Sequence, residues 1–473
     1  MKSIYKALTG LTIGSLLLSS CKKFDGSENI DPNRPAKASG TQLIASAQKS
    51  LPDMSSSPFG VHYPQHLSNT TFPDNSRYVT INFNFYGWYT GPLMDLETVL
   101  NSPLNANEGP IVNQIAVAKI LKAYIYWFLT DRWGDIPFSE ALKAKDNFTP
   151  KYDKQQDIYN GLFKLLDEAN AAIVTGTGTN IRNDIMYNGD MTKWKKLGNT
   201  IRMLMALRLS KVDPIKGAAE FNTARNNGIM TSNSDNFAYP HLADRDNENF
   251  WYTQMVRMGR LWYAVSRPLV DTMQSSSDPR LPVFADKNSA GNYVGLAYGQ
   301  TSTVSPNTVS LLGTNLRLQN SPVYLVTYAQ ALFAIAEAAK LGWIAGGDAT
   351  AKTNYEAAIT ASIAQWTGST TTVAAFLAQP KIVYDPANAI KQIATQRWVH
   401  LFLHGYEAWA EWRRTGFPIL IPAPGANGNR IPRREAYPTI ERSNNTANYN
   451  AAVAAFPYGG EDDLNARVWW DKP

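Results

Sequence analysis

Two histidines, His400 and His404, stand four residues apart, with Glu407 and Glu411 continuing the same register. On one helix that spacing brings all four side chains to one face, and two imidazoles with a carboxylate are a zinc ligand set. The neighbours argue for another role. Trp398, Leu401, Phe402, Ala408 and Trp409 make the stretch apolar, and the His-Glu-x-x-His spacing of zinc hydrolases is missing. The histidines are therefore expected to be structural, and no metal is expected. Asp244-Arg245-Asp246-Asn247-Glu248 has the oxygen density of a calcium loop, but Asn249 replaces the turn glycine and Met255 the bidentate Glu. Thr175-Gly176-Thr177-Gly178-Thr179 lacks the Gly-Lys-Ser/Thr ending of a phosphate loop, and no Gly-x-Ser-x-Gly elbow appears. Glycoside hydrolysis needs two carboxyl groups about 5–9 Å apart, so 39 acidic residues leave a helical glycosidase open as an alternative. No catalytic residue and no cofactor is assigned.

Aromatic residues suggest binding. The chain has 13 Trp, 23 Tyr and 18 Phe, and several fall in segments rich in Asn, Ser, Pro and Gly. Tyr63, His66, Tyr78, Tyr86 and Trp88 cluster in the first such segment, with Asn82 between them. Trp251, Tyr252, Trp262 and Tyr293 cluster in the second, with Arg257 nearby. Apolar sugar faces stack on aromatic rings while amide and guanidinium groups hold hydroxyls. These eleven residues are the candidate ligand-binding set. Each of them could instead pin its loop to the core, as buried aromatics do.

The N-terminus sets the compartment. Lys2 and Lys6 precede the mostly apolar stretch 7–18, which is signal-peptide length and too short to span a bilayer. Leu18-Ser19-Ser20-Cys21 follows, a pattern similar to a bacterial lipobox, in which Cys21 becomes the lipidated first residue. Residues 1–20 are thus expected to be a signal peptide and 21–38 a lipidated polar leash. Cys21 is the single cysteine, so its lipidation excludes disulfides, thiolate metal sites and cysteine nucleophiles. The net charge of +6 over 473 residues is mild and no basic run occurs, so no nucleic-acid partner is expected.

The elements that must position the aromatics are helical. Residues 112–133 are apolar on almost every side, as in a buried helix. Amphipathic stripes cover 154–173 and 191–212; further helices are expected at 323–341, 349–366 and 387–414. The periods 323–341 and 349–366 form a helix–turn–helix. Stacked pairs of this kind cover a chain too long for one core, which rarely exceeds about 250–300 residues. Residues 55–89, 232–319 and 419–465 are irregular, with strand-like patterns at 78–85 and 293–294.

These features together resemble SusD/RagB-like outer-membrane lipoproteins, in particular the SusD-like 2 subgroup. The resemblance rests on the lipobox with its Asp31-Pro32-Asn33 leash, and on Arg132-Trp133-Gly134-Asp135-Ile136-Pro137-Phe138. It extends through Asp278-Pro279-Arg280-Leu281, the stretch 291–299, Ser321-Pro322 and 336–339. Gln396-Arg397, Gly405-Tyr406-Glu407, residues 412–416 and 465–471 complete it. It implies a mainly α fold over 39–473, with four tetratricopeptide-like helix pairs, a loop-rich ligand-binding part and few short strands. It also implies a non-enzymatic lipoprotein, anchored in the outer membrane and facing the cell exterior. Such a protein captures a glycan, or alternatively a peptide, for a SusC-like TonB-dependent barrel. No sugar-binding residue carries over from the family's starch-binding member. A protein-docking scaffold remains a further alternative.

Overall fold

A computed structural model describes residues 38–80 and 82–473. The signal peptide expected at 1–20, Cys21 and the leash up to residue 37 lie outside the described residues. Among the described residues no helix is long and apolar enough to cross a membrane.

Helices carry the architecture. In chain order they are α1 (Gly40–Lys49), α2 (Met94–Asn101), α3 (Ile111–Trp133), α4 (Gln155–Ala172) and α5 (Met191–Arg208). There follow α6 (Pro214–Asn226), α7 (Arg267–Gln274), α8 (Tyr328–Lys340), α9 (Gly347–Thr367), α10 (Ala389–His400) and α11 (Gly405–Thr415). Four pairs pack face to face: α3 on α4, α5 on α6, α8 on α9, and α10 on α11. The pairs stack further through α4–α5, α5–α8, α8–α10 and α3–α11, so α3 is enclosed. That enclosure is why its sequence is apolar all round: Val117, Leu121, Ile125, Leu129 and Trp133 are buried along its length. Each such side chain contributes about 1.5–3 kcal/mol relative to exposure.

Helix starts follow local chemistry. The Asp190 carboxylate accepts from the Thr192 and Lys193 amides at the head of α5. Asp213 does the same for Lys216 ahead of Pro214, which opens α6.

Two expected helices are interrupted. Residues Val323–Val326 form a strand paired with Phe237–Tyr239, and α8 begins after it at a capping box of Thr327 and Gln330. The run Val-Tyr-Leu-Val is β-branched and aromatic enough for a strand, and the cap decides where the helix starts. The expected helix over 387–414 breaks into α10 and α11. Leu403 takes a positive φ of 68°, and Gly405 presses on the backbone of Gly60, where a Cβ would lie 2.3 Å from the Gly60 carbonyl oxygen. The close approach requires glycine and turns the chain.

Among the described residues, the strand patterns at 78–85 and 293–294 form no strand. Tyr78 adopts the left-handed conformation after a tight turn at Pro73–Arg77, and Asn82 makes an isolated bridge to Ala436. Tyr293 and Val294 run extended beside Ser310 without joining a strand. The other paired strands among the described residues are the ribbons Leu67–Asn69 with Tyr263–Val265 and Ile136–Pro137 with Tyr152–Asp153, with isolated bridges at Ala264–Leu311, Ser266–Leu296 and Ala285–Leu312.

The loop-rich part has its own core. Val61, Leu67, Trp251, Met255, Tyr263, Phe284, Trp398 and Phe402 pack together beside α7 and α10. The loops 55–89 and 232–319 are therefore ordered by burial together with short ladders such as Leu67–Asn69 on Tyr263–Val265.

Candidate functional site

A groove of about 340 Å³ opens where the segments 50–59 and 83–92 meet α3 and α11. Trp88, Phe59, Phe83 and Tyr406 give it aromatic walls, and Ser50, Asp53, Ser57 and Asn84 give it polar edges. Trp88 ends a short helical turn, Tyr86–Trp88. The Asn84 side chain accepts from the Tyr86 amide at 2.7 Å and starts that turn. Phe85 is buried beneath it against Trp133, with ring centroids 5.4 Å apart. Trp88 itself is half-buried, leaning on Phe128 at 5.3 Å, and Gly87 beside it leaves open space. Phe59 and Phe83 stand 5.1 Å apart with their planes tilted by 55°.

The floor is Arg132 and Tyr406. The Arg132 guanidinium lies 4.1 Å from the Tyr406 ring and 4.1 Å from the Trp133 ring, and pairs with Glu435 at 2.6 Å. It also donates to the Tyr406 hydroxyl at 3.2 Å. Its charge is thus spent inside the protein. Asp53 is different. The residue is exposed at the edge of the groove, yet the atoms around its carboxyl shield it enough to raise it above its usual value, against the weaker pull of His241.

Of the eleven sequence candidates, Trp88 lines this groove. Tyr63, His66, Tyr78 and Trp251 are buried, so their rings offer no face to a ligand. Tyr63 packs on Trp409 at 4.8 Å and Tyr78 on Tyr298 at 6.2 Å. His66 binds the Trp398 carbonyl at 3.0 Å, and burial holds its imidazole down to about 3. Trp251 packs edge-on against Tyr263. Each pins its loop to a core, which is the role burial assigns to most large aromatics.

The other candidates lie apart from the groove. Tyr86 donates to Glu441, whose second oxygen accepts from Tyr152 at 2.5 Å. Arg257 is exposed and paired with Glu248 at 2.5 Å, with Tyr252 on the same wide helical turn. Trp262 meets Phe72 edge-on at 4.8 Å under Arg260, and Lys287 sits over the Tyr293 ring. Asn82 is half-buried at its bridge to Ala436.

Sequence reasoning missed Asp53, Phe59 and Phe83 as site residues. Phe59 and Phe83 lie in the same aromatic-rich loop as Trp88. Nothing in the spacing of Asp53, just after α1, points to the groove. A second, more apolar cleft of about 440 Å³ lies between α7 and the loop 418–424, with Arg267 and Asp271 on one side and the exposed Ile419 and Ile421 on the other.

The acidic and histidine residues that looked reactive are locked in the core. Arg208, fully buried, donates to Asp131 at 3.0 Å, to Glu407 at 2.6 Å and to Glu411. Glu411 is also held by Arg397 and by Arg414 at 2.6 Å, and Glu337 by Arg397 at 2.9 Å and by Arg414. Burial alone would raise Glu411, but Arg414, Arg397 and Arg208 hold it well below the usual carboxylate range. Burial wins at Glu407, pushing it up to about 7 against Arg208. Asp131 further accepts from Tyr159 at 2.5 Å and Trp470 at 2.7 Å. His400 sits between the hydroxyls of Thr327 at 2.7 Å and Ser362 at 2.9 Å, and His404 lies beyond the helix break. Among the described residues no group of His, Cys, Asp and Glu side chains is placed to hold a metal ion. The sequence motifs 132–138, 396–397, 405–407 and 412–416 thus contribute to the frame.

A family model described as "Starch-binding associating with outer membrane", SusD-like 2, matches residues 32–438. The chain belongs to this family. The mainly α, paired-helix architecture is the SusD-like fold. Members of the family are glycan-binding proteins associated with the outer membrane. A chitin-binding protein of known structure is 30% identical, superimposes with a TM-score of 0.80, and is matched over 92% of this chain and 100% of its own. A SusD homologue from Bacteroides fragilis is 26% identical with a TM-score of 0.77 over the same shares. A chitin-binding SusD homologue from Flavobacterium johnsoniae, 23% identical, shares the fold with a TM-score of 0.77 over 92% of this chain and 98% of its own. No curated protein sequence matches this chain.

Proposed function

We propose that this SusD-like protein captures a glycan at the Trp88 groove and passes it, unchanged, to a SusC-like TonB-dependent barrel. In this reading Cys21 carries the lipid that anchors it on the outer face of the outer membrane. The observation that carries the binding role is the groove itself: a half-buried indole and two phenyl rings beside amide, hydroxyl and carboxylate groups. Rings stack on the apolar faces of sugars, and the polar edges fix orientation. The 30% identical neighbour is a chitin-binding protein, which makes N-acetylglucosamine polymers the first ligands to try. A binding-only role fits the core carboxylates, which are engaged by arginines. Tyr63 packs against Tyr406 behind the groove, His66, Tyr78 and Trp251 hold their loops to the core, and the exposed or half-buried Tyr86, Tyr252, Arg257, Trp262, Tyr293 and Asn82 stand outside it.

The test is calorimetry of the folded chain with chitin-derived, starch-derived and cellulose-derived oligosaccharides and with peptides, each mixture then checked for cleavage products. Saturable binding of an intact oligosaccharide, weakened about tenfold or more by Trp88→Ala, supports the groove. Cleavage products, or an affinity indifferent to Trp88→Ala, refute it.

A further inference from the structure

Asp53 is an exposed residue in the lining of the groove that makes no ion pair among the described residues, and His241 is the titratable group that pulls on its carboxyl. His241 is partly buried, bonded through Nδ1 to the Asn247 carbonyl at 3.0 Å. Desolvation keeps that imidazole below its ordinary value, so it is neutral at pH 7 and does not balance the carboxylate. Arg132, the cation in the groove lining, is already matched by Glu435 at 2.6 Å. Among the described residues, one formal negative charge is therefore left without a cationic partner in the groove that Trp88, Phe59 and Phe83 line.

A neutral sugar stacked in the groove covers that charge without matching it, which costs desolvation. An N-acetylated sugar gains the amide N–H as a donor but brings no charge. A sugar carrying a protonated amine gains a charge-assisted hydrogen bond to Asp53 and an attraction to the ring faces. We propose that the groove, read as the glycan site, selects amino sugars with a free amine, as in deacetylated stretches of an N-acetylglucosamine polymer, over fully acetylated or neutral glycans. The chain as a whole carries +6, so a cationic oligosaccharide is not drawn to it by net charge, and the preference must be local.

The experiment compares the hexamer of glucosamine, the hexamer of N-acetylglucosamine and a cellulose hexamer by calorimetry, at pH 6 and low salt. The folded full chain, Asp53→Asn and Trp88→Ala are each titrated. The expected result is that the glucosamine hexamer binds the unmodified chain about tenfold more tightly than the acetylated one. The advantage vanishes in Asp53→Asn and shrinks as salt is raised. Equal affinities for the two hexamers, both weakened by Trp88→Ala, overturn the selectivity while leaving the groove as the glycan site. A preference that survives Asp53→Asn overturns it as well. Failure of every hexamer to bind, or binding untouched by Trp88→Ala, removes the glycan site itself and the selectivity with it.

Discussion

Replacing Arg208 by Met tests the buried charge network. The side chain is fully enclosed, and its three nitrogens serve Asp131, Glu407 and Glu411. Methionine fills much of the same volume without the charge. Asp131 keeps Tyr159 and Trp470 as donors, and Glu411 keeps Arg397 and Arg414. Glu407 loses its arginine and is left a buried carboxyl with nothing opposite. Removing one partner of a buried pair costs about 3–5 kcal/mol, a large share of a domain's total of about 5–15. The loss depends on pH in a defined sense. Glu407 already stands at about 7 with Arg208 present, so without it the folded-state value rises further. A carboxyl raised in the folded state gives stability that is present at low pH and is lost as pH rises through the folded value. The deficit relative to the unmodified chain is therefore greatest near pH 9 and shrinks toward pH 6.5. It shrinks by about 1.4 kcal/mol for each unit by which Glu407 rises in the variant. The buried histidines, including His404, which Arg208 helps to hold down, stay neutral in the folded state from pH 6.5 upward because burial is the larger cause, and so drop out of the difference. Guanidinium unfolding followed by tryptophan fluorescence and far-UV circular dichroism, with coincident transitions as the check on two-state behaviour, measures it. A deficit below about 1 kcal/mol, or one equal at pH 9 and pH 6.5, would refute the claim that Arg208 neutralises Glu407.

Other outcomes follow from the same geometry. Burial holds His62 and His404 at about 4 and His66 and His400 at about 3, so the native state resists protonating them. Their contribution is present above the unfolded value of about 6.5 and is lost as pH falls below it, by about 2 kcal/mol per histidine at pH 5. Asp135, raised by burial to about 6, and Glu407 offset part of that loss; denaturant midpoints at pH 7.5 and pH 5 measure the net fall. Trp251→Ala is expected to cost about 3–5 kcal/mol in the loop-rich core, read as a lowered Tm, whereas Trp88→Ala, at a half-buried ring, lowers Tm by less and loses ligand. Gly405→Ala drives a Cβ into the Gly60 backbone and is expected to lower stability by about 1–3 kcal/mol, visible as a lower denaturant midpoint.

The helical frame was legible because its periodicity is local. The apolar run at 112–133 and the stripe at 154–173 appear as α3 and α4 within a residue at each end. The misread boundaries at 323 and 401 depend on partners distant in sequence: the strand Phe237–Tyr239 claims Val323–Val326, and Gly60 claims Gly405. The groove was legible in part. An aromatic-rich loop pointed to Trp88, but pattern alone does not separate a ring that faces solvent from one that anchors a loop. Tyr63 and Trp88 look alike in sequence and differ by which side of the loop backbone meets the core. Asp53 and Tyr406 reach the groove from opposite ends of the chain, so only the folded packing unites them.

The contact between Gly60 and Gly405 bears on how much ordering a ligand must impose. Phe59 precedes the first glycine and Tyr406 follows the second, so two walls of the groove are fastened to each other through their backbones. Walls joined in this way have no hinge at that point. The faces of Phe59 and Tyr406 are therefore set relative to each other before any ligand arrives, which lowers the ordering cost of binding between them.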